Sequence, residues 1–295
     1  MAALPGIVLP FGDAPAAPQT LDPITCRHAV NSHAAIGLAA HGLRPGRACV
    51  LGAGACTDIP LRALAAQFER VALYDLDAES LRAALATLEP DARARVTARV
   101  TDITGFAAPL LDRADACLAA ATDPDAAIDA LTALARDARV GPTEGTLPRS
   151  ELVVASCVLS QLAISTLRTI ERRFVHRFDD PDAARLRGAR GWVEATIGLV
   201  HALQRAFVRD LARMVAPGGR LYLSATTHVA QVTATADDRW STPGAYRMTP
   251  DARLAASLGP DWSVLFEARW PWVAAPPGIA PGVVYAVDAL VLAPR

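Results

Sequence analysis

A chain of 295 residues with 29 basic against 30 acidic side chains, and a pI near 6.6, has no electrostatic basis for binding nucleic acid or an anionic membrane surface. Hydrophobic residues reach 52%, but much of that is alanine, and no apolar run approaches the ~18 residues a membrane helix needs. The opening "MAALPGIVLPFGDAPAAPQT" lacks the basic n-region of a signal peptide and is broken by prolines, so a soluble cytoplasmic protein of one or two domains is expected.

Residues 1 to about 24 are rich in Pro and Ala and read as an extended arm. "PITCRHAVNSHAAIGLAAHG" has helical composition and stops at Gly42, before "LRPG" turns the chain. "RACVLG" predicts a strand, Gly52-Ala53-Gly54 a tight turn, and "DIPLRALAAQFER" a helix. "VALYDLD" and "AESLRAALATL" repeat the strand and helix, and "RVTARVTD" alternates as a third strand should. Two alanine-rich helical stretches and the loop "VGPTEGTLP" lead to a fourth strand, "ELVVASC". An insertion is expected at about 162–191, followed by a long helix with Ile197, Val200, Leu203, Phe207 and Leu211 as its buried stripe. "APGGRLYLS" predicts a fifth strand, and the C-terminal segment reads as two strands joined by a proline-rich loop. Strand and helix alternate through most of the chain, which specifies an α/β protein with a mostly parallel, doubly wound sheet.

In such a sheet ligands bind outside the carboxyl ends of the strands, where a glycine turn admits close backbone approach and the next helix offers free N–H groups. Two glycines alone carry little weight, since a tight turn needs no ligand. Their spacing to Asp75, about twenty residues on, adds a carboxylate able to accept hydrogen bonds from both ribose hydroxyls of a nucleoside. Asp102 ends the third strand, where an adenine amino group would lie. The dinucleotide fingerprint G-x-G-x-x-G would need glycine at position 57, which is Thr57.

In this order the motifs resemble the class I S-adenosylmethionine-dependent methyltransferases. "VLGAG" with "DIPL", "VALYDLD", "VTARVTD", "ELVVASC" and "LARMVAPGGRLYLS" match the family's successive motifs over about 45–225. The resemblance implies a Rossmann-like sheet whose last strand runs antiparallel, helices on both faces, and a helical cap. It implies S-adenosyl-L-methionine as donor and S-adenosyl-L-homocysteine as product, with Gly52, Ala53, Gly54, Asp58, Asp75, Leu76, Asp102, Ile103, Ser156 and Cys157 in the donor site. Two positions depart from the family pattern: Val50 stands where an acidic residue is common, and Cys56 occupies the third glycine position. Asp58, just past the turn, is either a substitute acid for the methionine ammonium or a helix N-cap.

Residues 1–44 are expected to form an arm and helix packed on a core domain of 45–295. The missing Asn/Asp-Pro-Pro-Tyr/Phe after the fourth strand disfavours amide, adenine and cytosine acceptors, leaving a small molecule. Candidate acceptor residues are Gln161, Arg172, Arg173 and Tyr246. The arginines on the insertion form either a solvated face or a site for an anionic acceptor. His228 is the candidate general base, with a solvated loop histidine as the plainer account. His28 and His33, on the N-terminal helix, are candidates to close over the donor. Trp240, Tyr246, Trp270 and Trp272 line an acceptor pocket or pack in the core.

The five cysteines include no Cys-x-x-Cys pair, so neither a disulfide framework nor a metal site is expected. Every basic residue is arginine, which removes the Walker A lysine, the Schiff-base lysine and the Tyr-x-x-x-Lys pair. Aminopropyl-type transfer from the same donor, and nucleoside binding without turnover, remain alternatives. Homo-oligomers are compatible with the sequence.

Overall fold

The computed structural model describes residues 19–21, 27–138, 147–236, 240–242, 246–247, 258, 261–275 and 282–295. Most of the expected N-terminal arm and of the loop "VGPTEGTLP" lies outside them. In chain order the elements begin with β1 (Gln19–Leu21), α1 (His28–Ala40), β2 (Arg47–Leu51), α2 (Leu61–Gln67), β3 (Arg70–Asp75), α3 (Ala78–Ala86), α4 (Pro90–Arg93) and β4 (Val96–Val100). There follow α5 (Ala107–Ala120), α6 (Pro124–Asp137), β5 (Ser150–Ala155), α7 (Ile164–Phe178), a 3-10 turn at Pro181–Ala183, α8 (Ala184–Gly188) and α9 (Arg190–Met214). The chain closes with β6 (Val215–Ala234), β7 (Trp240–Thr242), β8 (Tyr246–Arg247), β9 (Trp262–Ala275) and β10 (Gly282–Pro294).

The strands β2, β3 and β5 are short apolar runs buried along nearly their whole length, the pattern of parallel strands covered on both faces. They pair in parallel, β2 with β3 and β5, β3 with β4, and β5 with β6. The last strand, β10, runs antiparallel between β6 and β9, so the main sheet reads β4-β3-β2-β5-β6-β10-β9. This is the expected doubly wound sheet with an antiparallel last strand. Order reverses between β2 and β5, the switch point where an α/β sheet opens a crevice for ligands.

Helices cover both faces. On one, Ile36 of α1, Leu61 and Leu64 of α2 and Leu81 of α3 pack on Val50, Val71 and Val154. On the other, Phe207 and Leu211 of α9 pack on Leu51, Val153 and Leu221. A third apolar core joins α5, α6, α7, α8 and the first half of α9 through Leu110, Leu131, Ile170, Phe174, Leu186 and Leu199. The expected cap at 162–191 is therefore part of a larger helical layer that includes α5 and α6.

Three boundaries differ from the sequence reading. The second helix starts at Leu61, because the ring of Pro60 supplies no N–H and favours a helix start. In α9 Leu199 is buried while Ile197 and Val200 are half-buried, since the helix packs on α6 and the sheet at once. The fifth strand continues to Ala234, because β10 pairs with it as far as Val232. His228 consequently lies inside β6, opposite Ala286, rather than in a loop after the strand. Among the described residues no helix is long and apolar enough to cross a membrane.

Candidate functional site

The turn after β2 is held by backbone. Gly52 N–H and Ala53 N–H both donate to Tyr74 O, at 2.9 and 3.1 Å, and Gly54 N–H donates to Asp75 Oδ2 at 2.8 Å. Gly52, Gly54 and Cys56 have φ of 66°, 48° and 55°, the left-handed region that costs a side-chain-bearing residue energy. A Cβ at Gly52 would stand 2.4 Å from Val158 Cγ2, whereas one at Gly54 would meet nothing within 4 Å among the described residues. Gly52 is thus required by packing against the β5–α7 loop, and Gly54 faces open space.

Asp75 also accepts from Asp77 N–H at 2.9 Å. Each carboxylate oxygen therefore holds one backbone donor, and further lone pairs remain for a ligand. Leu76, next in the chain, is 54% exposed, and Ile103 is buried beyond the neighbouring strand. Asp102 is committed to its own loop: Oδ1 accepts from the Thr104 N–H and hydroxyl, and Oδ2 from Ala107 N–H at the start of α5.

Across the switch point, Asp58 is not the cap of α2, whose N-cap residue is Pro60. Its Oδ2 accepts the Ser156 hydroxyl at 2.6 Å and lies 3.4 Å from His28 Nε2. Burial pushes the Asp58 carboxyl up, but contact with His28 and the Ser156 hydrogen bond outweigh it, and the net shift is downward. An ionised carboxylate only accepts, so Ser156 must donate to it. Ser224 Oγ, 3.3 Å from Ser156 Oγ, then donates to Ser156 and itself accepts Cys157 N–H at 3.1 Å. A left-handed backbone at Cys157, φ 50°, sets this geometry.

Both cysteines at the turns are thiols. Burial, then the charges of Asp58 and Asp75, push Cys56 up to about 12. Burial pushes Cys157 up to about 12 despite the hydrogen bond with Ser224. Neither is a nucleophile at neutral pH. The four described cysteines are free, and no cluster of three metal-ligating side chains occurs among the described residues.

The other expected site residues are dispersed. Gln161 is exposed in the turn before α7. Arg173 binds Asp115 at 2.7 Å and Leu111 O at 3.1 Å, which ties α7 to α5. Arg172 is exposed and donates to Thr169 on its own helix. The His228 ring contacts Thr227 Oγ1 at 3.1 Å. Pairing with Ala286, one residue from Tyr285, turns His228 to the sheet face away from Tyr285 and Trp272. Tyr246 pairs through its backbone with Val229; its side chain and that of Trp240 lie outside the described residues. The buried Nε2 of His33 has no hydrogen-bond partner among the described residues.

Trp270 and Trp272 belong to a cluster that also holds His28. The Trp270 indole N–H donates to His28 Nδ1 at 2.9 Å, and Trp272 stacks on the imidazole with centroids 4.5 Å apart. Tyr285 tilts against Trp272 at 5.5 Å. Sequence reasoning missed Ser224 and Tyr222, whose hydroxyl is pushed up to about 12 by burial, against the lowering influence of Ser224 and Ser32. The only sequence signal for Ser224 was a polar residue ending the apolar strand "RLYLS".

No protein-family model and no curated protein matches the chain. Solved structures similar to it include a SAM-dependent methyltransferase from Anabaena variabilis, 10% identical, covering 96% of this chain and 89% of that one with a TM-score of 0.45. Another is a SAM-dependent methyltransferase from Leishmania major, 15% identical, covering 88% and 72%, TM-score 0.39. A third is the N-terminal domain of EvdMO1 with SAH bound, 16% identical, covering 93% and 82%, TM-score 0.40.

Proposed function

We propose that the chain is an S-adenosylmethionine-dependent methyltransferase of class I that acts on a small molecule. The observation that carries this reading is the Asp75 carboxylate fixed against Gly54 at the switch-point crevice, with open space over the glycine. A nucleoside fits there: the ribose hydroxyls donate to the remaining lone pairs of Asp75, and Leu76 and Ile103 flank the base. Asp102 Oδ2 keeps one lone pair for an exocyclic amine while the carboxylate orders the loop before α5. Asp58 supplies the anionic partner for the amino-acid ammonium that Val50 cannot provide, and Ser156 and Cys157 border the reacting end.

The donor, when bound, supplies a methyl group on a sulfonium that is already an activated leaving group. The chain's own contribution is then to hold donor and acceptor in line and to exclude water. An acceptor protonated at working pH also needs a base, and His228 is the candidate. Gln161, Arg172, Arg173 and Tyr246 are the acceptor candidates. Among the described residues Arg172 hydrogen-bonds within its own helix, so it suits an anionic acceptor better than Arg173, which serves α5. A cytoplasmic enzyme without nucleic-acid or membrane partners agrees with the balanced charge.

Calorimetry tests the reading. S-Adenosylhomocysteine should bind the purified protein, and Asp75→Asn should weaken it by about 1.5–3 kcal/mol, the range for a hydrogen bond to a charged group. Absence of binding at millimolar ligand, with NADH bound instead, would overturn it.

A further inference from the structure

Asp58 is reached from three directions in sequence. Ser156 comes from the end of β5, His28 from the first turn of α1, and Trp270, through His28, from β9. The direction of each link follows from chemistry. Indole N–H only donates, so His28 Nδ1, 2.9 Å away, must accept. The ring proton of the neutral imidazole therefore sits on Nε2, the nitrogen 3.4 Å from Asp58 Oδ2. Trp272 stacks on the face of the same ring, and His28 is only 8% exposed. Both nitrogens and one face are thus fixed. The Ser224–Ser156 chain delivers a second donor to the same oxygen. Both side-chain donors are on Oδ2 and the backbone N–H of Asp58 also acts on the carboxylate, so Oδ1 keeps a lone pair for a ligand.

We propose that His28 is a positioning residue for donor recognition: held by Trp270 and Trp272, it fixes the Asp58 carboxylate so that Oδ1 receives the ammonium group of the donor's amino-acid part. This rests on the donor reading above and adds a dependence of that recognition on the N-terminal helix and the terminal strand pair, 242 residues apart in sequence. A role confined to folding would treat all nucleoside ligands alike. A role through Asp58 affects only ligands that carry the amino-acid part.

The test compares S-adenosylhomocysteine with 5′-methylthioadenosine, the same nucleoside thioether without the amino-acid portion. Binding of each is measured by calorimetry to wild type, His28→Ala, His28→Gln, Trp270→Phe, Asp58→Asn and the His28→Ala/Asp58→Asn double variant. His28→Ala should weaken S-adenosylhomocysteine about 10-fold, near 1.4 kcal/mol, and leave methylthioadenosine within about 2-fold. His28→Gln, whose side-chain amide can donate to Asp58, should recover part of the loss. Trp270→Phe, which leaves the fold's apolar contacts largely in place, should show the same selectivity at smaller size. The double variant should lose no more than Asp58→Asn alone, because both act through one carboxylate. Equal loss of both ligands in His28→Ala and Trp270→Phe, or full additivity in the double variant, would overturn the inference while leaving the donor reading intact. Failure of wild type to bind either ligand would instead remove the donor reading, and this inference with it.

Discussion

At the residue scale, the two glycines of one turn do different work. Alanine at Gly52 would meet Val158 at 2.4 and 2.9 Å on a backbone with φ 66°. The left-handed conformation costs about 1–2 kcal/mol and overpacking about 1–3 kcal/mol, so Gly52→Ala should lose roughly 2–5 kcal/mol in urea unfolding. Gly54→Ala carries only the conformational cost, about 1–2 kcal/mol, since its Cβ meets nothing within 4 Å among the described residues. It should nevertheless lose most of its affinity for S-adenosylhomocysteine, because the methyl group fills the space proposed for ligand. Equal stability losses in the two variants would contradict this division. Sequence shows two glycines in register with Asp75 but not which one faces a neighbour, because Val158 is brought to Gly52 only by β5.

At the element scale, α7 shows how periodicity reveals a buried face without naming its partner. Ala163, Leu167, Ile170, Phe174 and Phe178 recur at helical spacing; the first four are buried, and Phe178, at the end of the helix, is half-buried. The surface they meet belongs to α9 and to α5 and α6, the last two separated from α7 in sequence by β5. Phe174 is fully buried, so Phe174→Ala should cost about 3–5 kcal/mol. Arg173→Ala removes a pair whose side chains are 36% and 54% exposed and should cost no more than about 1 kcal/mol, as solvent-screened pairs do. Chemical denaturation of the two variants checks the ranking. If Arg172→Glu lowers turnover of an anionic acceptor with donor affinity unchanged, the outer face of α7 serves the acceptor. Unchanged kinetics would return it to a solvated surface.

At the scale of the whole molecule, the last strand of the chain lies inside the sheet. β10 fills the slot between β6 and β9, and Val284, Val287, Ala289, Leu290, Val291 and Leu292 are buried there. At about 1.5–3 kcal/mol for each of the large side chains among them, their loss is comparable to the whole ~5–15 kcal/mol stability of a typical domain. A chain ending before Gly282 should therefore show no cooperative unfolding transition by circular dichroism, and a well-folded truncated protein would contradict the role assigned to β10. The sequence by itself determined the α/β class, the parallel strands, the glycine turn and the Asp75 spacing, because hydrophobic period and turn chemistry act over a few residues. It left open whether Asp58 caps a helix, and whether Trp270 lines a pocket or packs in the core. The tertiary structure gives the N-cap of α2 to Pro60, brings Asp58 to Ser156 and His28, and buries Trp270 against His28; His28, Asp58, Ser156, Ser224 and Trp270 come from five separate segments. No local pattern records which side chains meet when β10 closes the sheet and α1 folds across its end.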